Sequence, residues 1–232
     1  MKKKIILKSS ILAVAAGLSV FAINSVFADE LPVQFMGVND FHGALEQTGT
    51  ARLEGETVKN AGTAPLLATY LNDSQKDFET ENAGTPNASI RVQAGDMVGA
   101  SPANSALLQD EPTVKVFNEM NFEYGTLGNH EFDEGLGEFN RIMKGEAPTP
   151  GQFNKIVDEY PHEASKQEVV IANLVDKDTN KIPFDWKPYT IKEIPVNDKT
   201  VKVGFIGVVT TEFPNLVLRK NHEQYRVLDE AE

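Results

Sequence analysis

The sequence predicts a layered α/β fold, and three observations carry that expectation: apolar runs of strand length recur, each ends in a polar loop, and amphipathic helical patterns lie between them. Strands that alternate with helices form a sheet whose faces the helices cover. Val33 to Val38 is the first run and leads into Asn39-Asp40; Ser89 to Gln93 is the second and leads into Gly95-Asp96. Tyr124 to Leu127 is the third, followed by Gly128-Asn129-His130. All three read as buried strands.

Between them, Ala64 to Phe78 sets Leu66, Leu67, Tyr70 and Leu71 on one helical face, and Thr113 to Met120 does the same with Val114, Val116, Phe117 and Met120. Glu79 to Ala88 reads as a polar loop. Further on, Glu168 to Leu174, Tyr189 to Val196 and Val201 to Val209 are strand-like runs rich in Val and Ile, with Pro183, Pro188 and Pro195 marking ends. Asn197-Asp198-Lys199 predicts a hairpin turn between the last two. The stretch from Gly145 to Pro161, with Pro148, Pro150 and Pro161 around a short helix at Gln152 to Tyr160, reads as a surface excursion. A last helix is expected from Asp229, and no internal repeat is present.

The first residues have a different purpose. Lys2, Lys3, Lys4 and Lys8 precede an uncharged apolar stretch from Ile11 to Ala22, and Val26-Phe27-Ala28 places small residues before Asp29-Glu30. A spanning helix needs about 20 apolar residues, and this stretch is shorter. The order of basic, apolar and small residues predicts a signal peptide over residues 1–28, cut after Ala28, with an uncleaved anchor as the alternative. The protein is therefore expected to be exported, to the cell surface or beyond, with no stable membrane span in the mature chain.

The chain carries a formal net charge of −12, and removal of the leader would take away four lysines and no acid. Such a surface disfavours a nucleic-acid duplex as partner, because that binding runs on Lys and Arg neutralising phosphates. A phosphate bound here must be held locally, by metal or by a few aimed groups. With no cysteine in the chain, a disulfide framework and thiolate zinc sites are excluded.

Ligands of α/β sheets sit beyond the carboxyl ends of strands. There the sequence sets Asp40 with His42, then Asp96, then Asn129 with His130 and Asp133. Carboxylate and carbonyl oxygen mixed with imidazole suits zinc, manganese or a similar divalent ion. One carboxylate shared between two such sets can bridge two ions, which about 3.5–4 Å apart clamp a phosphoryl group. Taken singly, Asp40-Phe41-His42 more often forms a local hydrogen bond, and Gly95-Asp96 is a common turn. Gly128-Asn129-His130-Glu131 directly after an apolar strand is more specific, since the glycine permits a sharp turn that aims two polar side chains into one cleft.

Asn39-Asp40-Phe41-His42-Gly43, Gly95-Asp96 and Gly128-Asn129-His130-Glu131-Phe132-Asp133 closely resemble the motifs of the calcineurin-like metallophosphoesterases, and within them the 5'-nucleotidase and 2',3'-cyclic-nucleotide phosphodiesterase family. The resemblance extends to Ala172-Asn173, to Pro188-Tyr189-Thr190-Ile191 and to the segment Val203 to Thr210. It implies an αββα sandwich, with residues 29–232 as the N-terminal part of the metallophosphoesterase domain, incomplete at its C-terminus. It also implies two divalent ions, Asp40 and His42 on the first, Asp96 bridging both, Asn129 on the second. His130 would be catalytic and Asp133 would orient it, with a plain helix-start charge as the alternative for Asp133. The implied substrate is a small-molecule nucleotide, and the implied role is nucleotide catabolism and the salvage of phosphate or nucleoside. Glu131 has no role by resemblance and reads as a surface or supporting salt-bridge partner.

The family pattern continues to a strand ending in histidine and to a Gly-His-x-His or Gly-His-x-Gln segment, neither of which occurs in these 232 residues. The other two histidines, His162 and His222, lie in polar stretches and are expected to be exposed rather than substitute ligands. Two readings follow, a hydrolase domain of an exported nucleotidase and a non-catalytic secreted remnant. In both, the Val201 to Val209 strand is expected to show an apolar face and edge to solvent.

Overall fold

The computed structural model describes residues 31–229. The expected signal peptide and its cleavage point lie outside the described residues, as does nearly all of the helix expected from Asp229. The chain runs β1 (Val33–Val38), β2 (Gly49–Leu53), β3 (Glu56–Ala61), α1 (Ala64–Glu81), β4 (Ala88–Gln93), α2 (Ala103–Ala106), α3 (Glu111–Glu119) and β5 (Tyr124–Gly125). After a 3-10 turn at His130–Phe132 come α4 (Leu136–Lys144), α5 (Lys155–Asp158), β6 (Glu168–Val169) and β7 (Leu174–Asp176). The hairpin β8 (Tyr189–Val196) and β9 (Lys199–Ile206) precedes α6 (Phe213–Leu216), α7 (Arg219–His222) and β10 (Tyr225–Val227).

Strands β1, β4, β5 and β6 pair in that order, all parallel. Val38 pairs with Gln93 and Gln93 with Gly125, so the carboxyl ends of β1, β4 and β5 finish level with one another. The period of two decides what each face meets. Met36 points to a core built from α1, α3 and α4 with Leu71, Phe117, Phe139 and Ile142, while Ile90 and Val92 point to the opposite face, against Ile194, Val196 and Phe205 of the β8–β9 hairpin. Helices, parallel sheet and hairpin sheet are thus stacked as successive layers, a mixed α/β arrangement of the kind the strand–helix alternation predicts.

One charged side chain on the helical face of β4 is satisfied by a full set of partners. Arg91 is buried, and its guanidinium donates to the Met120 carbonyl at 2.7 Å and to Asn72 Oδ1 and Gln75 Oε1, both at 2.9 Å. A buried cation without such partners would be strongly unfavourable.

The predicted hairpin forms, with Asn197 and Asp198 as its two-residue turn and Asn197 at φ 54°. That left-handed conformation suits asparagine and matches the twist of the paired strands. Alternation along the hairpin sends Ile194 and Val196 inward and leaves Tyr189 and Ile191 exposed, with Ile206 73% exposed. On the Val201 to Val209 run itself, Val201, Ile206 and Val208 are exposed.

Three expectations are corrected. The run from Glu168 to Leu174 is not one strand: β6 ends at Val169, the Ile171 and Ala172 amides donate to the Lys187 and Gly207 carbonyls, and the Asn173 side chain donates to the Val209 carbonyl at 2.7 Å and accepts from the Val209 amide at 2.9 Å. His162, expected in solvent, is mostly buried, its Nδ1 2.6 Å from Glu111 Oε2. The same carboxylate takes Arg141 Nη2 at 2.9 Å, and Arg141 also grips Glu138. His222 too is only partly exposed, packing edge-on to Phe213 with 5.5 Å between ring centroids.

Removing one partner of a buried ion pair leaves the other charge uncompensated. Arg141→Met is accordingly expected to destabilise the protein by about 3–5 kcal/mol in urea unfolding; a loss smaller than about 1 kcal/mol would show that His162 alone suffices for Glu111.

Candidate metal centre

The level strand ends place three loops side by side, and backbone hydrogen bonds lace the first two together. The amides of Asp40, His42 and Gly43 donate to the carbonyls of Gly95, Asp96 and Met97 at 3.2, 3.0 and 3.1 Å. To run this way the chain turns left-handed at Asp40 (φ 52°), His42 (φ 49°) and Asp96 (φ 52°). That region costs an L-residue about 1–2 kcal/mol, least for the short polar types found here.

The third loop closes from the other side. A Cβ at Gly128 would stand 2.8 Å from the Asp96 backbone nitrogen and closer still to its carboxylate. Only glycine lets the two loops approach this far. The His130 amide then donates to Asp96 Oδ1 at 2.9 Å.

These constraints bring His42, Asp96 and His130 together, each offering a ligand atom within 4.8 Å of the others. The two imidazoles meet edge to face, with 4.7 Å between centroids. Asp40 joins the rim, with Oδ1 3.8 Å from His42 Nε2. Asn129 heads the 3-10 turn between Gly128 and His130. Among the described residues no group including His162 or His222 forms such a cluster.

The tautomers suit metal binding. His42 Nδ1 lies 3.0 Å from the Gly99 carbonyl, which can only accept, so Nδ1 is the donor and Nε2 is the ring atom left to face a cation. His130 Nδ1 lies 2.8 Å from Asp133 Oδ2, which also accepts from the Ala100 amide at 3.0 Å. An imidazole fixed through Nδ1 by a carbonyl or carboxylate is the usual arrangement of a ligating histidine. A carboxylate with two imidazoles also fits a zinc- or manganese-like ion by donor chemistry. His130 stands within this triad itself, where the motif resemblance sets it against substrate.

The His130 pKa lies above its ordinary value. Burial opposes the charged form, but the hydrogen bond and charge of Asp133, with the charges of Asp96 and Glu131, outweigh it. Asp133 is held in turn, its own carbonyl accepting from Asn221 Nδ2 at 2.6 Å. Beside the His130–Asp133 pair lies a cavity of about 110 Å³, lined in part by Gly99, Asp110, Glu138 and Phe139. It is smaller than a typical small-molecule pocket of about 300–1,000 Å³.

Of the two places expected for Glu131, the structure takes the supporting one, with backbone amides in place of a salt-bridge partner. Instead of lying at the surface it is 2% exposed, and it accepts from three backbone amides: Asp96 at 3.0 Å, Met97 at 2.7 Å and Gly128 at 2.6 Å. Burial pushes its carboxyl up to about 7, against the three amide donors that favour the charged form. No feature of the sequence announces this, because two of the donors, Asp96 and Met97, lie on a loop distant along the chain.

No sequence-family profile matches the chain. It is 53% identical over 206 residues to the cell wall protein Lmo0130 of Listeria monocytogenes, covering 88% of this chain and 25% of that protein. It is 36% identical over 205 residues to endonuclease YhcR of Bacillus subtilis, covering 88% and 15%. The 2',3'-cyclic-nucleotide 2'-phosphodiesterase/3'-nucleotidase of Salmonella typhimurium is 32% identical over 133 residues, 52% of this chain and 17% of that one. Among solved structures, the NAD nucleotidase of Haemophilus influenzae superposes with a TM-score of 0.58 at 23% identity, over 84% of this chain and 29% of its own, a likeness of fold. The chain thus spans a quarter or less of the length of these sequence relatives.

The contact between Gly128 and Asp96 gives a test of the geometry. Gly128→Ala is expected to push Asp96 out of place and weaken Mn²⁺ binding, measured by calorimetry, by roughly 10-fold or more. Unchanged affinity would mean that the loops separate without disturbing the cluster.

Proposed function

We propose, for a chain that belongs to the 5'-nucleotidase and 2',3'-cyclic-nucleotide phosphodiesterase family of calcineurin-like metallophosphoesterases, that it is the metal-binding part of an exported phosphoester hydrolase acting on extracellular nucleotides. Its role would be nucleotide catabolism and the salvage of phosphate or nucleoside. The observation that carries this reading is the convergence of His42, Asp96 and His130 at the level ends of β1, β4 and β5. Export is supported by the order of basic, apolar and small residues before Asp29, and by similarity to a cell wall protein. Among the described residues no helix is long and apolar enough to cross a membrane.

In this proposal Asp40, His42, Asp96 and Asn129 would hold two divalent ions, Asp40 and His42 the first, Asn129 the second, with Asp96 serving both. Such ions would supply charge neutralisation for a phosphoryl group and an activated water. The residues of the chain do the rest. His130, whose Nδ1 is engaged by Asp133, presents Nε2 to the leaving oxygen and donates a proton or stabilises charge there. Asp133 holds the ring angle and raises its basicity. With a net charge of −12 the surface repels polyanions, so the phosphate of a small nucleotide is drawn by the centre alone.

Two variants separate the roles. His130→Ala is expected to lower turnover of AMP or a 2',3'-cyclic nucleotide by roughly 10²–10³ while metal content changes little. Asp96→Ala is expected to remove metal and activity together. Loss of metal in His130→Ala would reassign His130 as a ligand, and turnover that survives Asp96→Ala would end the metal-centred reading. Because one relative is named an endonuclease, duplex DNA belongs among the substrates tested; its brisk cleavage would overturn the small-nucleotide assignment.

A further inference from the structure

The loops that carry the cluster are tied by one side chain with no part in the chemistry described so far. Glu131 follows His130 in the 3-10 turn, and its side chain is buried. Its Oε1 accepts from the Met97 amide, and its Oε2 accepts from both the Asp96 and Gly128 amides. Two of these donors belong to the loop after β4 and the third to the loop after β5. Within the second loop the Asp96 carboxylate, and within the third the His130 ring, are thus attached to backbone that one carboxylate holds from beneath.

We propose that Glu131 is a positioning residue for the metal centre: by clamping the amides of Asp96, Met97 and Gly128 it fixes Asp96 against the turn that carries Asn129, and so sets the affinity of the site for divalent ions. This inference rests on the metal-binding reading above. The chemistry leaves few substitutes. Three converging N–H donors need an acceptor-only group with two oxygens, and a carboxylate is the side chain that supplies it. Glutamine replaces one oxygen with an NH₂ facing donors, and aspartate has the two oxygens on a shorter stem. A clamp that acts on ligand-bearing backbone resembles the outer partners of metal sites, whose loss typically weakens binding roughly 10–100-fold.

The experiment compares Mn²⁺ binding by calorimetry in the purified protein with binding in Glu131→Gln, Glu131→Asp and Asp96→Ala, with circular dichroism to confirm folding. Glu131→Gln is expected to weaken Mn²⁺ roughly 10–100-fold in folded protein, and Glu131→Asp to recover part of the loss. A folded Glu131→Gln protein with parent affinity would overturn the proposal while leaving the metal centre intact, provided Asp96→Ala abolishes binding. If the parent binds no Mn²⁺, the metal-binding reading fails and the proposal falls with it. Should the Glu131 variants not fold, amide exchange in the parent decides. Slow exchange at Asp96, Met97 and Gly128, slowed further together by Mn²⁺, supports the clamp; fast or independent exchange at these amides overturns it.

Discussion

The segment Gly95–Met97 is the constraint on which the site depends, because its backbone is committed on both sides. Its carbonyls accept the amides of Asp40, His42 and Gly43. Its amides at Asp96 and Met97 go to Glu131. A backbone polar group left unpaired away from water costs free energy, and here the pairing that avoids this cost also assembles the site. The loop after β1 and the turn after β5 are both registered against one short piece of chain, which carries Asp96 between them.

The layers explain why that arrangement holds. Parallel pairing of β1, β4 and β5 aligns their carboxyl ends, and Phe117 and Phe132, both fully buried, fill the space behind the loops. Full burial of such a side chain contributes roughly 1.5–3 kcal/mol, enough for a few of them to offset the left-handed backbone at Asp40, His42 and Asp96. The buried charges of the helical layer are paired at Arg91 and in the Glu111–Arg141–His162 set. Stability and site geometry are therefore written in adjacent layers, apolar packing on one side and directed hydrogen bonds on the other.

How much of this was legible in the sequence depended on range. Strand β1, helix α1 and the β8–β9 hairpin follow from local period and from Asn197-Asp198, and their observed bounds lie close to those expected. The β2–β3 hairpin escaped, because Glu56–Ala61 is mostly exposed and shows no apolar alternation. Helix α4 has a local signal of its own, Phe139, Ile142 and Met143 on one face before Gly145. Strand β5 is shorter than its apolar run suggests, because Gln93 Nε2 takes the Thr126 carbonyl at 2.9 Å in place of a ladder partner. The approach of Asp40, His42, Asp96 and His130 was foreseeable from strand ends, whereas the burial of Glu131 and the Glu111 contact of His162 depend on segments that meet only after folding.

The left-handed turns at Asp40, His42 and Asp96 also restrict which sequences natural selection can draw on. Each position must satisfy two filters at once, a donor atom for a cation and a backbone that L-residues with bulky or branched side chains resist. Glutamate, although a good ligand, takes this backbone less readily than aspartate, and glycine has the tolerance without the chemistry. The working alphabet is weighted towards aspartate, asparagine and histidine, so drift at these places is biased by stereochemistry even before function is counted.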